Sequence, residues 1–152
     1  METHAERAAR LFREGCNCAQ SVFLAFSDLT GMDRDTAIRV SASFGGGMGR
    51  LREVCGGVSG AIMALGMICA PLDPSDQALK AEHYRRVQEV ARRFREKHDT
   101  IICRELLGDQ AGTGHVPEAR TEQYYKTRPC EKFVYTGAAV LEEVLRELGY
   151  DV

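Results

Sequence analysis

Near the middle of the chain lies "VCGGVSGAIMALGMICAPL" (Val54–Leu72), a run of nineteen residues without a single charge. Its length approaches that of a membrane span, and Gly56 and Gly60 have the small-xxx-small spacing of packed membrane helices. Glycines interrupt the run, however, aromatic flanks are missing, and strong membrane-inserting residues are few. We therefore predict a buried central helix that its neighbours approach closely over the glycines, with no membrane span.

The sequence on both sides of this stretch has helical periodicity. Apolar residues at three- and four-residue steps predict a first helix closed by Gly15, a second capped by Asn17, and a terminal amphipathic helix over 134–148. The longest predicted helix follows Asp73 and Pro74, which supply a cap and a first-turn proline. Its apolar face comprises Leu79, His83, Val87, Val90 and Phe94. The stretch "GDQAGTGHVPEA", residues 108–119, is predicted to be a loop.

No segment alternates between apolar and polar residues as a half-buried strand would. We therefore predict an all-α fold in a single domain, residues 1–152. It is expected to be a bundle of five to seven helices around a buried central Gly/Ala-rich helix. A chain of 152 residues can bury one proper core and is too short for two. Helical bundles with apolar faces at both ends often pair, so this pattern is consistent with a homodimer.

The charge of the chain argues against nucleic acid as a partner. The formal net charge is −2 and charged residues make up 28% of the sequence, so no overall positive field exists. The most basic segment, "RRVQEVARRFREKH", contains interleaved glutamates and is interpreted as the solvated face of a helix.

Six cysteines are many for an intracellular chain, but they stay far below the roughly 8–10% that marks a disulfide scaffold. The first residues, "METHAERAARLF", lack the basic-then-apolar layout of a secretory signal, so we expect a cytoplasmic protein in a reducing compartment. Spare cysteines there indicate metal binding or redox chemistry more often than structural bridges.

Four of the six cysteines fall at or near predicted helix starts. Cys18 follows the Asn17 cap and Cys55 begins the central helix. Cys103 lies in the first turn of a short helix that is predicted to start at Thr100. Cys130 follows Pro129 at the entry to the last helix, where Thr127 is the predicted cap. The unpaired amides at a helix start favour a thiolate over a thiol.

The size of this effect is limited. A helix start contributes about 0.3–1 kcal/mol at exposed sites, which is less than the roughly 1.4 kcal/mol that shifts a pKa by one unit. Strong activation therefore requires a metal ion or a nearby cation, for which the sequence neighbours are Arg50, Arg52, Arg104 and Arg128. None of the four histidines has a paired ligand spacing, and His98, five residues before Cys103, is the best histidine candidate.

The pattern alone leaves several kinds of chemistry open. Four thiolates from four helix starts would suit a tetrahedral metal site, such as zinc, or an iron–sulfur cluster. Two of the thiols could instead exchange with a disulfide partner, or all could be buried and inert. Cys69 is interpreted as a small apolar core residue. Cys16 and Cys18 could be two ligands, a redox pair, or one functional thiol with an incidental neighbour, and side chains one residue apart form a strained disulfide at best.

Five short stretches occur in an order that carries a resemblance. They are "NCAQSVF" from Asn17, "FGGGMGR" from Phe44, "CGGVSGAIMALG" from Cys55, "CRELLG" from Cys103 and the lone Cys130 before a terminal helix. From about residue 4 to its end, the chain resembles the C-GCAxxG-C-C family of redox-active proteins.

This resemblance implies that Cys18, Cys55, Cys103 and Cys130 are the family's four defining cysteines. Cys16 falls outside the four and is therefore interpreted as an auxiliary to Cys18. Gly57 stands where the family usually has alanine, a change expected to cost little beyond helix propensity. The resemblance implies redox or metal chemistry without fixing a reaction, and it leaves open whether the protein is an enzyme. We expect the four cysteines to bind a metal centre that transfers electrons with a redox partner protein. A related module in some multihaem cytochromes is associated with an iron–sulfur centre, but this chain has no Cys-x-x-Cys-His for covalent haem. "FGGGMGR" is expected to bring backbone close to the cysteine site.

Overall fold

The computed structural model describes residues 1–152, and its regular structure is helical throughout. Nine regular helices are present: α1 (His4–Arg13), α2 (Cys18–Ala25), α3 (Ser27–Thr30), α4 (Arg34–Ser41), α5 (Gly56–Cys69), α6 (Gln77–His98), α7 (Cys103–Leu107), α8 (Glu122–Thr127) and α9 (Cys130–Glu147). Short helical turns also occur at Ala42–Phe44, Gly45–Met48 and Gly108–Gln110. No strand forms, and one isolated bridge joins Val54 to Ile102. The predicted all-α class is confirmed. Six of the helices have eight or more residues, within the predicted range of five to seven.

The central helix α5 packs against α2 and α9 with almost no side chain between the backbones. A Cβ on Gly60 would lie 2.6 Å from the Ala19 carbonyl oxygen of α2. On the other side, a Cβ on Gly137 of α9 would overlap the carbonyl oxygen of Gly57. The glycines of Val54–Leu72 therefore allow the close helix packing that the sequence predicts. No helix in the structure combines the length and the apolar character that crossing a membrane requires.

Two groups of buried side chains form the core. The larger one fills the space between α1, α2, α5 and α9, and contains Phe12, Phe26, Leu65 and Leu141. The smaller one surrounds Phe94 and includes the side chains of Cys55 and Cys103. Two of the predicted site cysteines thus belong to a small core cluster that is separate from the larger one.

The longest helix begins later than the sequence predicts. Asp76, and not Asp73, is the N-cap of α6, and its side chain accepts a hydrogen bond from the Leu79 amide at 3.0 Å. Asp73 instead accepts bonds from Ser75 in a preceding turn. The predicted apolar face is also shorter than expected, because Val90 and Phe94 are buried whereas Leu79 is 54% exposed. Only the second half of α6 buries its apolar residues in the core.

Two further helices begin a few residues away from their predicted starts. Helix α7 begins at Cys103, because the Thr100 hydroxyl accepts its hydrogen bond from the Ile102 amide just outside the helix. Helix α9 begins at Cys130 with Pro129 as its N-cap, whereas Thr127 ends α8. Both corrections move the cysteines closer to the helix starts than the sequence analysis places them.

Candidate thiol site

Each of the four candidate cysteines occupies a helix start. Cys18, Cys103 and Cys130 are the first residues of α2, α7 and α9, and Cys55 is the N-cap of α5. The four helices come from widely separated parts of the chain. The predicted placement at helix starts is therefore confirmed.

All four cysteines line one cavity of about 270 Å³. Cys16 and Cys69 do not line it. None of the six cysteines forms a disulfide in the structure. The fold thus brings together the four thiols that the sequence analysis selected and leaves the other two outside.

A short pairing of two loops holds Cys55 and Cys103 together. The Cys55 amide donates to the Ile101 carbonyl at 2.7 Å, and the Cys103 amide donates to the Glu53 carbonyl at 2.6 Å. These bonds flank the isolated bridge between Val54 and Ile102. Because backbone atoms form this link, it holds the two cysteines adjacent without any contribution from their side chains.

Cys18 is held in place by the cap of α2. The Asn17 side chain accepts from the Gln20 amide at 2.8 Å, and the Gln20 side chain accepts from the Asn17 amide at 3.0 Å. A Cβ on Gly56 would lie 2.9 Å from the Cys18 sulfur, so this sulfur rests on the peptide that follows Cys55. Cys18 and Cys55 are therefore close neighbours.

The glycine-rich segment passes directly beside the thiols, as the sequence analysis expects. Gly46 and Gly47 have φ angles of 68° and 70°, which side chains rarely adopt. A Cβ on Gly45 would lie 2.5 Å from the Asn17 side chain, and one on Gly47 would lie 2.7 Å from the Cβ of Cys103. The segment thus needs glycine both for its conformation and for its contact with two of the cysteine-bearing helices.

A loop that the sequence predicts only as a loop closes one side of the cavity. We call residues 111–121 the cover loop; His115, Pro117, Glu118 and Arg120 from it line the cavity. Arg50 donates to the Glu118 carboxylate at 2.9 Å and to the Gly114 carbonyl at 3.1 Å. Arg52 donates to the Gly112 carbonyl at 3.1 Å. Two arginines that follow the glycine segment therefore tie the cover loop down.

Arg120 attaches the end of the cover loop to the first helix. Its guanidinium donates to the carbonyls of Phe12 and Cys16, both at 3.1 Å, and lies 4.3 Å from the centre of the Phe12 ring. The structure therefore shows Cys16 contributing its backbone carbonyl, and not its thiol, to the surroundings of the cavity.

Burial opposes ionisation of three of the four thiols. Burial raises the pKa of Cys55 well above its ordinary value. The nearby Cys18 thiol raises this pKa further, whereas the hydrogen bond from the Gly57 amide lowers it. Burial also raises the pKa of Cys103, although Arg52 donates to its sulfur at 3.7 Å. The pKa of Cys130 is raised by burial and by Cys18, against the effect of Arg128. The helix starts therefore do not make these thiols thiolates at neutral pH, which agrees with the small magnitude of that effect.

Two further candidates from the sequence, the ligand His98 and the cation Arg104, do not line the cavity. His98 donates to or accepts from the Thr136 hydroxyl at 2.8 Å and packs against Phe133, outside the cavity lining, whereas His115 lies in it. Arg104 pairs with Glu53 at 3.1 Å with both side chains about half exposed, so it is not one of the cavity's cations. No three His, Cys, Asp or Glu side chains come close enough together to hold one metal ion.

Cys69 is less buried than the sequence analysis expects. Its thiol is half-buried at the end of α5 and donates to the Leu65 carbonyl at 3.2 Å. The expected cost of about 1–3 kcal/mol for a buried hydroxyl without a partner does not apply, because a serine hydroxyl can keep this bond. We expect Cys69→Ser to lower the free energy of unfolding by less than about 1 kcal/mol. Thermal melts check this, and a larger loss would contradict the half-buried placement.

The fold and the cavity define a class of protein: an all-helical cysteine protein in which four helix starts carry thiols to one cavity walled by arginines. The family model described as "Putative redox-active protein (C_GCAxxG_C_C)" matches residues 16–144. The chain belongs to this family. No curated protein and no solved structure matches it.

The structure corrects one expectation drawn from the family resemblance. A Cβ on Gly57, where alanine is usual, would lie 2.7 Å from the Phe133 carbonyl oxygen. Glycine at this position is therefore required by the contact between α5 and α9, and its effect goes beyond helix propensity.

Proposed function

We propose that Cys18, Cys55, Cys103 and Cys130 bind an iron–sulfur cluster or another thiolate metal centre, and that the protein transfers electrons to and from a partner protein. The observation that carries this proposal is the meeting of four thiols, from four separate helices, at one cavity. Thiolates are the preferred ligands of iron–sulfur clusters and of structural zinc.

A cluster requires less convergence of its thiol ligands than a single ion does. A tetrahedral zinc ion needs all its sulfurs about 2.3 Å from one point. No such convergence of three ligands is present. An iron–sulfur cluster distributes four cysteines over two or more iron atoms, so its ligands stand farther apart. When bound, such a cluster would supply one-electron redox chemistry.

The surroundings of the cavity suit a group that is held by thiolates. Arg50, Arg52, Arg120 and Arg128 line the cavity together with a single carboxylate, that of Glu118. Their charges would compensate thiolates and reverse the protonation that burial favours in the metal-free chain. The backbone pairing of Cys55 with Cys103 and the cap before Cys18 would hold three ligands without help from the metal.

A second function is supported by the contact between Cys18 and the peptide after Cys55. These two thiols could be oxidised to a disulfide by a partner protein. The two electrons and two protons would pass to a disulfide of the partner, which would be reduced to two thiols. In the reducing cytoplasm expected from the sequence, such a pair would start in the thiol form. An inert helical assembly module, with no chemistry at the cysteines, remains the alternative in which neither reaction occurs.

Purification without oxygen distinguishes these functions. We expect a coloured protein whose visible absorption bleaches on reduction and which contains iron and sulfide in equal amounts. Zinc without iron would assign a structural metal site. A colourless, metal-free chain after anaerobic handling and attempted reconstitution would contradict the metal centre. In that sample, titration of free thiols before and after a mild disulfide oxidant would show whether Cys18 and Cys55 form a redox pair.

A further inference from the structure

Three arginines beside the thiols share a single carboxylate. Glu118 accepts a hydrogen bond from Arg50 at 2.9 Å, forms an ion pair with Arg128 at 2.8 Å, and lies 3.7 Å from Arg52. The three guanidinium side chains are only 11%, 11% and 7% exposed, so this cluster carries two uncompensated positive charges that are largely shielded from water. Burying charge is costly unless it is paired and hydrogen-bonded.

The hydrogen bonds of the cluster are also incomplete. A guanidinium has five N–H donors and no acceptor. Here Nη2 of Arg52 and Nε of Arg128 are buried and have no hydrogen-bond partner. Both side chains line the cavity. At the cavity, the arginine cluster therefore has both N–H donors without an acceptor and positive charge without a compensating negative charge.

Glu118 differs from the arginines that it joins. Its side chain is 40% exposed and comes from the cover loop, which contains no regular helix or strand. Burial would raise the pKa of its carboxyl, but the hydrogen bond from Arg128 and the charges of Arg128 and Arg50 together hold that pKa below its ordinary value. Glu118 is thus an ionised, half-exposed group on an irregular loop, bound to a fixed and buried cationic cluster.

We propose that Arg50, Arg52 and Arg128 form a binding site for a small oxyanion or carboxylate beside the thiols, and that Glu118 occupies this site when no ligand is bound. Planar guanidinium groups bind carboxylate and phosphate oxygens in pairs, which matches the missing acceptors. The cavity of about 270 Å³ lies just below the usual range for ligand pockets and therefore suits a small molecule.

The position of the cluster places this ligand next to the candidate redox site. Nη1 of Arg52 lies 3.7 Å from the Cys103 sulfur, so an anion held by Arg52 would be a close neighbour of that thiol. The proposal goes beyond the metal centre and does not require one. Its test uses metal-free, reduced protein, so either proposal can fail without the other.

The test is calorimetric titration with inorganic phosphate at constant ionic strength, with chloride as the balancing anion. Wild-type protein should bind one phosphate per chain. Glu118→Gln removes the competing carboxylate and should tighten phosphate binding about tenfold or more, since hydrogen bonds to charged groups are strong. Arg128→Met should weaken phosphate binding by about tenfold or more relative to the wild type. Added to Glu118→Gln, it should weaken binding by a similar factor relative to Glu118→Gln alone.

Glu53→Gln is the matched control, because it removes a carboxylate that pairs with an arginine at 3.1 Å outside the cavity. It should leave phosphate affinity unchanged. Equal gains in Glu53→Gln and Glu118→Gln would show nonspecific attraction and overturn the proposal, as would full affinity in Arg128→Met or no binding to the wild type. If Glu118→Gln does not fold, the comparison of wild type with Arg128→Met decides by itself.

Discussion

Cys18→Ser is expected to reduce bound iron to background while leaving most of the helical content. Serine keeps the size of the side chain and can still lie at the start of α2, but its oxygen is a far poorer ligand for a soft metal than a thiolate. Cys18 is only half-buried, so the substitution has little effect on the core. Cys55→Ser should lose iron equally and also lose stability, because the buried hydroxyl would cost about 1–3 kcal/mol if left without a partner.

Iron analysis, visible absorption and thermal melts of both variants check this prediction. Cys16→Ser is the matched control, because its thiol lies two residues from Cys18 but does not line the cavity. It should keep full iron content and nearly the same melting temperature. Loss of iron in Cys16→Ser, with retention in Cys18→Ser, would reverse the roles assigned to these two cysteines.

Gly137→Ala is expected to destabilise the protein more than any other single methyl group added to a helix. The new Cβ would overlap the Gly57 carbonyl oxygen and lie 2.8 Å from the Gly57 carbonyl carbon. Both are backbone atoms, which cannot rotate away as a flexible side chain could. Helices α5 and α9 must then move apart, at a cost of typically about 1–3 kcal/mol for overpacking. Because α9 begins at Cys130, the same movement should displace this proposed ligand and lower iron content.

Gly66→Ala is the control for this prediction. Gly66 lies within α5, and the nearest atom to its added Cβ would be Nε2 of His83 at 3.9 Å, an ordinary contact. The alanine should therefore stabilise the protein by about 0.5–1 kcal/mol through helix propensity. Denaturant unfolding of both variants measures the difference. Similar free energies of unfolding for the two would show that α5 and α9 are not in backbone contact.

Local signals explain what the sequence predicts well. Apolar periodicity predicts the helices, and the Asn17 cap predicts where α2 begins, because both depend on residues a few positions apart. The same locality places all four cysteines at helix starts. The boundary of α6 is less well predicted, since Asp73 and Asp76 are both suitable caps and the folded chain uses only the second.

Contacts between distant residues explain what the sequence does not predict. Arg50 and Glu118 are separated by 68 positions, and neither has a neighbour pattern that marks a partner. The exposure of Leu79 also depends on which part of α6 meets the rest of the bundle. The backbone contact at Gly57 could have been suspected from the second glycine, Gly137, at the middle of the last helix, but only the fold shows that the two meet.

The order of the cysteines along the chain has a consequence for how the protein is made. Cys18, Cys55 and Cys103 leave the ribosome before Cys130, which starts the helix that packs against both α1 and α5. A nascent chain that ends before α9 therefore exposes three thiols and lacks both the fourth thiol and one wall of the cavity. The proposed centre is therefore loaded after α9 has been synthesised and has docked, so truncated chains should emerge without it.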